Sequence, residues 1–191
     1  MPRYRLNELE VALVKRNPLL TQKLRPPLSE SDICAILKRA KMVGAIEPII
    51  ALYTWHNGTI WDDVLMKSKS GFFPGEVYQF VDLEKAIGHR RSYAECVCSY
   101  FPKLANLAER YLPVFWDGSA KWVGLDANSS ACPVVMIRYF VREASVVGGR
   151  YEPEIREKEP PREAYRSFED FIADAIRANR ESSPLACFKT K

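Results

Sequence analysis

His56, Asp62 and Asp63 fall within eight residues of one another in "WHNGTIWDD", and they are the first side chains here with types and spacing that suit chemistry. A histidine oriented by a carboxylate can act as a general base. Such a cluster would make a small hydrolase built on His56 with Asp62 or Asp63. A metal site would need further carboxylates from elsewhere, because no second histidine stands nearby. Against the hydrolase, the spacing places His56 in the last turn of a helix. There a histidine ordinarily serves local carbonyls or packs on aromatic neighbours, and the helix dipole favours its protonated form. The structural reading of His56 is the stronger.

The five cysteines are Cys34, Cys96, Cys98, Cys132 and Cys187. Their odd number and irregular spacing give no disulfide framework, and Cys96-Val97-Cys98 is not a paired zinc motif. Cys34 and Cys98 fall on the apolar stripes of expected helices, where a thiol is inert. They read as small buried hydrophobes in a reducing cytosol. The second histidine, His89, sits in "GHRRS" beside Arg90 and Arg91, whose charge depresses its pKa, and reads as a solvated loop residue. The chain carries no P-loop, G-x-G-x-x-G, G-x-S-x-G or H-E-x-x-H signature. No cofactor is expected.

The elements that must position these groups follow from periodicity. Leu6, Leu9 and Leu13 predict an amphipathic helix over 4–16, ended by Asn17-Pro18. Ser29, with Asp32 three residues on, caps a helix whose stripe is Ile33, Ile36, Leu37 and Ala40. "EPIIALYTWHNG" predicts a third helix, closed by a left-handed Asn57-Gly58. Tyr53 should join Leu52 in the core and leave Trp55 more exposed. "MKSKSGFFPG" reads as a polar loop with aromatic punctuation, and "EVYQFVDLEKAI" as a strand leading into a short helix. Ser92 and Glu95 form a capping box for the next helix. Strands follow, with Asp117-Gly118 as a hairpin turn. Residues 148–165, charged and proline-rich, read as an exposed loop or arm. "SFEDFIADAIRANR" closes the domain as a helix capped by Ser167, with Phe168, Phe171, Ile172, Ala175 and Ile176 buried. The residues from 182 read as a loose tail.

The order predicts an α+β fold. N-terminal helices precede a central antiparallel sheet of about five or six strands. Helices pack on one face of the sheet, and a C-terminal helix follows. The expected organisation is an N-terminal helical extension (1–26), one α+β domain (27–181) and a tail (182–191). Of 191 residues, 47% are hydrophobic and 27% charged, enough to bury a core. The net charge of +4 is mild, and the excess lies in residues 1–41, which hold nine Lys/Arg against four Asp/Glu. No aromatics interleave with those cations to stack bases, so no nucleic-acid partner is expected. The N-terminus has no signal-peptide character and no apolar run reaches membrane-spanning length, so the chain reads as cytoplasmic with no membrane contact.

Three stretches together carry a resemblance. "IIALYTWHNGTI" is an aromatic-rich helix end leading into Asn-Gly. "RYLPVFWDGSAKWVGLDANSSACPVVMI" is a hairpin of Leu-Pro, Asp-Gly, Leu-Asp and Pro-Val. "YRSFEDFIADAI" is a closing helix that begins Ser-Phe. In this order, from Pro27 to Arg180, they resemble the SUKH superfamily (the Smi/Knr-like domain), and point to a bacterial member. Residues 1–26 have no counterpart in that pattern, and Ser119-Ala120 replaces the usual glycine after the hairpin turn. The resemblance implies an α+β fold without catalytic apparatus that acts on a protein partner, and the expected state is a monomer or weak dimer. Many bacterial members are immunity proteins that bind and block a toxin domain. Fungal members are housekeeping regulators of cell-wall synthesis and signalling. Binding energy at protein interfaces concentrates on Trp, Tyr and Arg, so Trp55, Trp61, Trp116, Trp122, Arg150 and Arg156 are the candidate partner-binding residues, with core packing the alternative for the four tryptophans.

Overall fold

The computed structural model describes residues 4–42, 44, 46–60, 62, 65, 71–100, 109–118, 121–138, 141–147, 150–155 and 162–188, with side chains for all but 96–100, 138 and 141–155. The fold is α+β. The first four helices are α1 (Leu6–Arg16), α2 (Pro18–Thr21), α3 (Glu30–Arg39) and α4 (Glu47–Trp55). Strand β1 (Gln79–Phe80) and helix α5 (Leu83–Tyr100) follow. Then come β2 (Tyr111–Trp116), β3 (Lys121–Asp126), β4 (Val134–Arg138), β5 (Val141–Val147), β6 (Arg150–Ile155) and β7 (Arg162–Tyr165). Helix α6 (Phe168–Glu181) and a 3-10 turn, Ala186–Phe188, close the described chain. Five strands form an antiparallel sheet in the order β1-β2-β3-β4-β7, and β5 and β6 pair as a separate two-stranded ribbon.

Caps agree with the sequence at three helices. The Ser29 and Ser167 hydroxyls accept from the Asp32 and Asp170 amides at 3.1 Å. Asn17 both ends α1 and caps α2, through Leu20 N–H at 3.2 Å. The β2–β3 hairpin pairs Trp116 with Trp122, and Gly118 takes a φ of 83° in its turn.

Several expectations are overturned. Helices touch both faces of the sheet rather than one. Phe115 and Trp116 are successive on β2 and so point to opposite faces. The Phe171 ring of α6 lies 5.8 Å from Phe115, whereas His89 of α5 lies 5.6 Å from Trp116. Helix α5 is one continuous helix through Ser92, not a short helix followed by a second. Its start is fixed by Asp82, which accepts from Lys85 N–H at 3.0 Å, and by Asn57, which accepts from Leu83 N–H at 3.0 Å. Residues 150–155 and 162–165 are strands rather than loop, because β5 and β4 supply them with backbone partners. Phe72 and Phe73 are fully buried core residues, not loop punctuation.

The tail is also anchored. Leu185 is fully buried, and Phe188 stacks on Tyr78 with ring centroids 5.2 Å apart. Asp174 accepts from Ala186 N–H at 2.8 Å and from Tyr165 OH at 2.5 Å. Helix α1 packs on α6 and shares its core. Leu6, Leu9, Ala12 and Leu13 are buried, Tyr4 meets Phe168 edge-on at 5.0 Å, and Arg16 bonds Asn179.

Candidate functional site

The stretch that raised the chemical question is a structural junction. Helix α4 ends at His56, which is extended (φ −152°) rather than helical, so the left-handed residue does not follow the helix directly. That conformation belongs to Gly58, two residues on, at φ 83°. A Cβ there would lie 2.5 Å from the Asp82 nitrogen, so only glycine fits. Gly58 O accepts from Arg25 N–H at 2.9 Å, and Thr59 N–H donates to Phe80 O at 2.8 Å. The segment thus joins residues 23–25 to the β1–α5 junction.

His56 faces Arg25 O through Nδ1 at 3.0 Å and Glu10 through Nε2 at 3.6 Å, the latter an ion pair only when the ring is protonated. Both ring nitrogens therefore face acceptors supplied by the fold. Its carboxylate neighbour is Glu10 of α1, which also accepts from Trp55 Nε1 at 2.9 Å. Asp62 pairs with Lys23 at 2.7 Å and accepts from Leu65 N–H at 3.1 Å. Asp63 lies outside the described residues.

Of the thiols, Cys34, Cys132 and Cys187 have described side chains, and those of Cys96 and Cys98 lie outside the described residues. Cys132 is fully buried, and burial, reinforced by Asp126 and Glu47, pushes its pKa up to about 12. Burial also raises Cys187. Cys34 is half-buried on α3, beside the buried stripe of Ile33, Ile36 and Leu37. Among the described residues, no group of three or more His, Cys, Asp or Glu is placed to hold a metal ion.

The candidate binding residues separate. Trp55 is half-buried, as expected beside a fully buried Tyr53, and packs on Phe72 and Phe80. Trp116 and Trp122 stack at 5.2 Å on the opposite face of the sheet; Trp122 is buried and Trp116 half-buried. His89 lies 4.4 Å from Trp122. It is a half-buried helix residue, not a solvated loop residue. Burial comes first in lowering its pKa, followed by Lys85, so Arg90 and Arg91 are not the leading cause. Arg150 opens β6, and Trp61 and Arg156 lie outside the described residues.

Sequence reasoning missed a cleft of about 570 Å³ between the C-terminal end of α3 and α5. Arg39, Ala40, Lys41, Ile87, Arg90, Arg91, Ala94, Glu95 and Glu109 line it, which sets four cations against two carboxylates. Arg90 falls on the inward stripe of α5, with Ile87 and Ala94. It is half-buried, and its guanidinium donates to Glu109 O at 2.8 Å and Ala40 O at 3.4 Å. Burial lowers its pKa, with Glu109 opposing. Arg91 and Lys41 are exposed at the rim. Arg39 is exposed too, and pairs with Glu84 at 2.8 Å. The signal in the sequence was two basic runs, "LKRAK" and "HRRS", fifty residues apart.

No described helix is long and apolar enough to cross a membrane. No family model matches the chain, and no curated protein matches it.

Proposed function

We propose that the chain is a non-catalytic protein-binding domain of immunity type, one that binds and neutralises a toxin domain. The observation that carries the reading is the open cleft, rimmed by Arg39, Lys41 and Arg91 and floored by Arg90. Guanidinium groups at an open concave surface are suited to charge-assisted contact with a partner, and surface charge speeds encounter. His56 and Asp62, by contrast, are held by groups of the fold itself, and Cys132 is fully buried. The resemblance of the three stretches from Pro27 to Arg180 to the SUKH pattern gives the immunity role its direction.

The test is capture of partners from the native cell with the tagged full chain, followed by reconstitution. Expected is one partner bearing a toxin domain, bound at 1:1, whose activity is lost on mixing. A partner from cell-wall synthesis, bound without inhibition of any toxic activity, replaces immunity with the regulator reading. Hydrolytic turnover lost in His56→Ala with the fold intact overturns the non-catalytic reading altogether.

A further inference from the structure

Lys41 stands where the backbone favours glycine. It follows the last turn of α3 with a φ of 53°, in the left-handed region. Its N–H donates to Lys38 O at 3.0 Å, and Met42 N–H donates to Leu37 O at 3.0 Å. Those two bonds are the helix-closing motif whose left-handed position is ordinarily glycine. Leu37 and Met42 are both buried in the core, as the apolar positions of that motif ordinarily are. A side chain at this position is disfavoured, by more than a cation ordinarily gains from the helix C-terminus. The exposed side chain of Lys41 lines the cleft.

We propose, resting on the protein-binding reading, that this cleft takes an acidic segment of a protein partner, and that Lys41 occupies its left-handed position for the charge it brings to the rim. The hydrogen-bond partners of Arg90 are carbonyl oxygens, which fix its guanidinium, while the Glu109 carboxylate stands near enough to favour its charge. A carboxylate fits a guanidinium through paired hydrogen bonds, and the cations on either side hold the rest of such a segment. The lining disfavours nucleic acid. Among the described lining residues none is aromatic to stack a base.

The experiment titrates the full chain at low ionic strength with a short labelled glutamate-rich peptide and its glutamine counterpart, and adds duplex DNA as competitor. The glutamate peptide should bind saturably and at least about tenfold more tightly than the glutamine one, and added salt should weaken it. Arg91→Glu should weaken it about tenfold or more, since rim charge is reversed at an exposed position. Lys41→Gly should weaken it severalfold while raising Tm by roughly 1–5 °C, and Lys41→Arg should keep the affinity. Equal affinity for both peptides, no binding of either, or indifference to Arg91→Glu overturns the proposal. So does DNA that displaces the peptide and binds more tightly through the same residues. Lys41→Gly that lowers Tm overturns the assignment of Lys41. A captured toxin partner whose binding ignores Arg91→Glu overturns the cleft and leaves the protein-binding reading standing.

Discussion

Arg16 and Arg90 each sit on the inward stripe of a helix, half-buried, with their guanidinium groups bonded to neutral oxygens. Arg16 donates to Asn179 Oδ1 at 2.5 Å, Gly71 O at 2.8 Å and Phe72 O at 3.1 Å, and so fastens α1 to α6 and to the segment behind Phe72. Burial lowers the pKa of both arginines. The difference lies in what surrounds them. Arg16 borders the face where Phe72, Phe73, Phe80, Phe115 and Phe171 pack ring against ring. Arg90 borders an open cleft. One side of the fold uses arginine to seal a seam, and the other uses it to floor a concavity.

The sharpest way to break this contrast is to damage the sealed side. Phe115→Ala removes a fully packed ring and should cost about 3–5 kcal/mol in urea unfolding, the largest effect here. Arg16→Ala should cost about 2–3 kcal/mol, since it leaves acceptors on Asn179 and two carbonyls unpaired in a closed seam. Arg90→Ala should cost less, about 1–2 kcal/mol, because water entering the cleft can serve Glu109 O and Ala40 O. Equal losses for the two arginines would erase the distinction between seam and cleft.

A smaller effect is expected at the tail. Burial pushes the Asp174 carboxyl up, but hydrogen bonds from Tyr165, Ala186 N–H and Arg177 outweigh it and hold the pKa below its ordinary value. The unfolded chain therefore takes up the proton first as pH falls. The stabilisation is complete above about pH 4, the unfolded range for an aspartate, and is lost as pH drops through the lower folded value. Tyr165→Phe should move the Asp174 titration upward in carbonyl NMR and shrink that window; an unmoved titration would remove Tyr165 from the account. Smallest is Phe188→Ala, which should cost about 1 kcal/mol and expose the tail to protease, since its ring is half-buried, stacks on Tyr78 and meets Phe73 edge-on.

The sequence-based expectations succeed where the signal is local. Helix α6 is legible because its cap and its stripe lie within fourteen residues of chain. The β2–β3 hairpin is legible because Asp117-Gly118 sits between two apolar runs. The Ser92–Glu95 box misled because Asp82 had already started the helix, with Asn57 assisting from 26 residues upstream. Charge and proline hid β6 and β7, whose pairing depends on β5 and β4. The tail looked loose because Phe188 finds Tyr78 only in three dimensions. The cleft is the clearest case: both basic runs were visible, and only the packing of α3 against α5 brings them together.

The ribbon of β5 and β6 leaves the sheet after β4, and the chain returns as β7 to pair with the same strand, Met136 opposite Arg162. In polymer terms it is an excursion that begins and ends at one edge. The entropy of closing such a loop grows only logarithmically, by about 0.6 kcal/mol for each doubling of its length. On that scaling, lengthening the ribbon should add little to the cost of pairing β4 with β7.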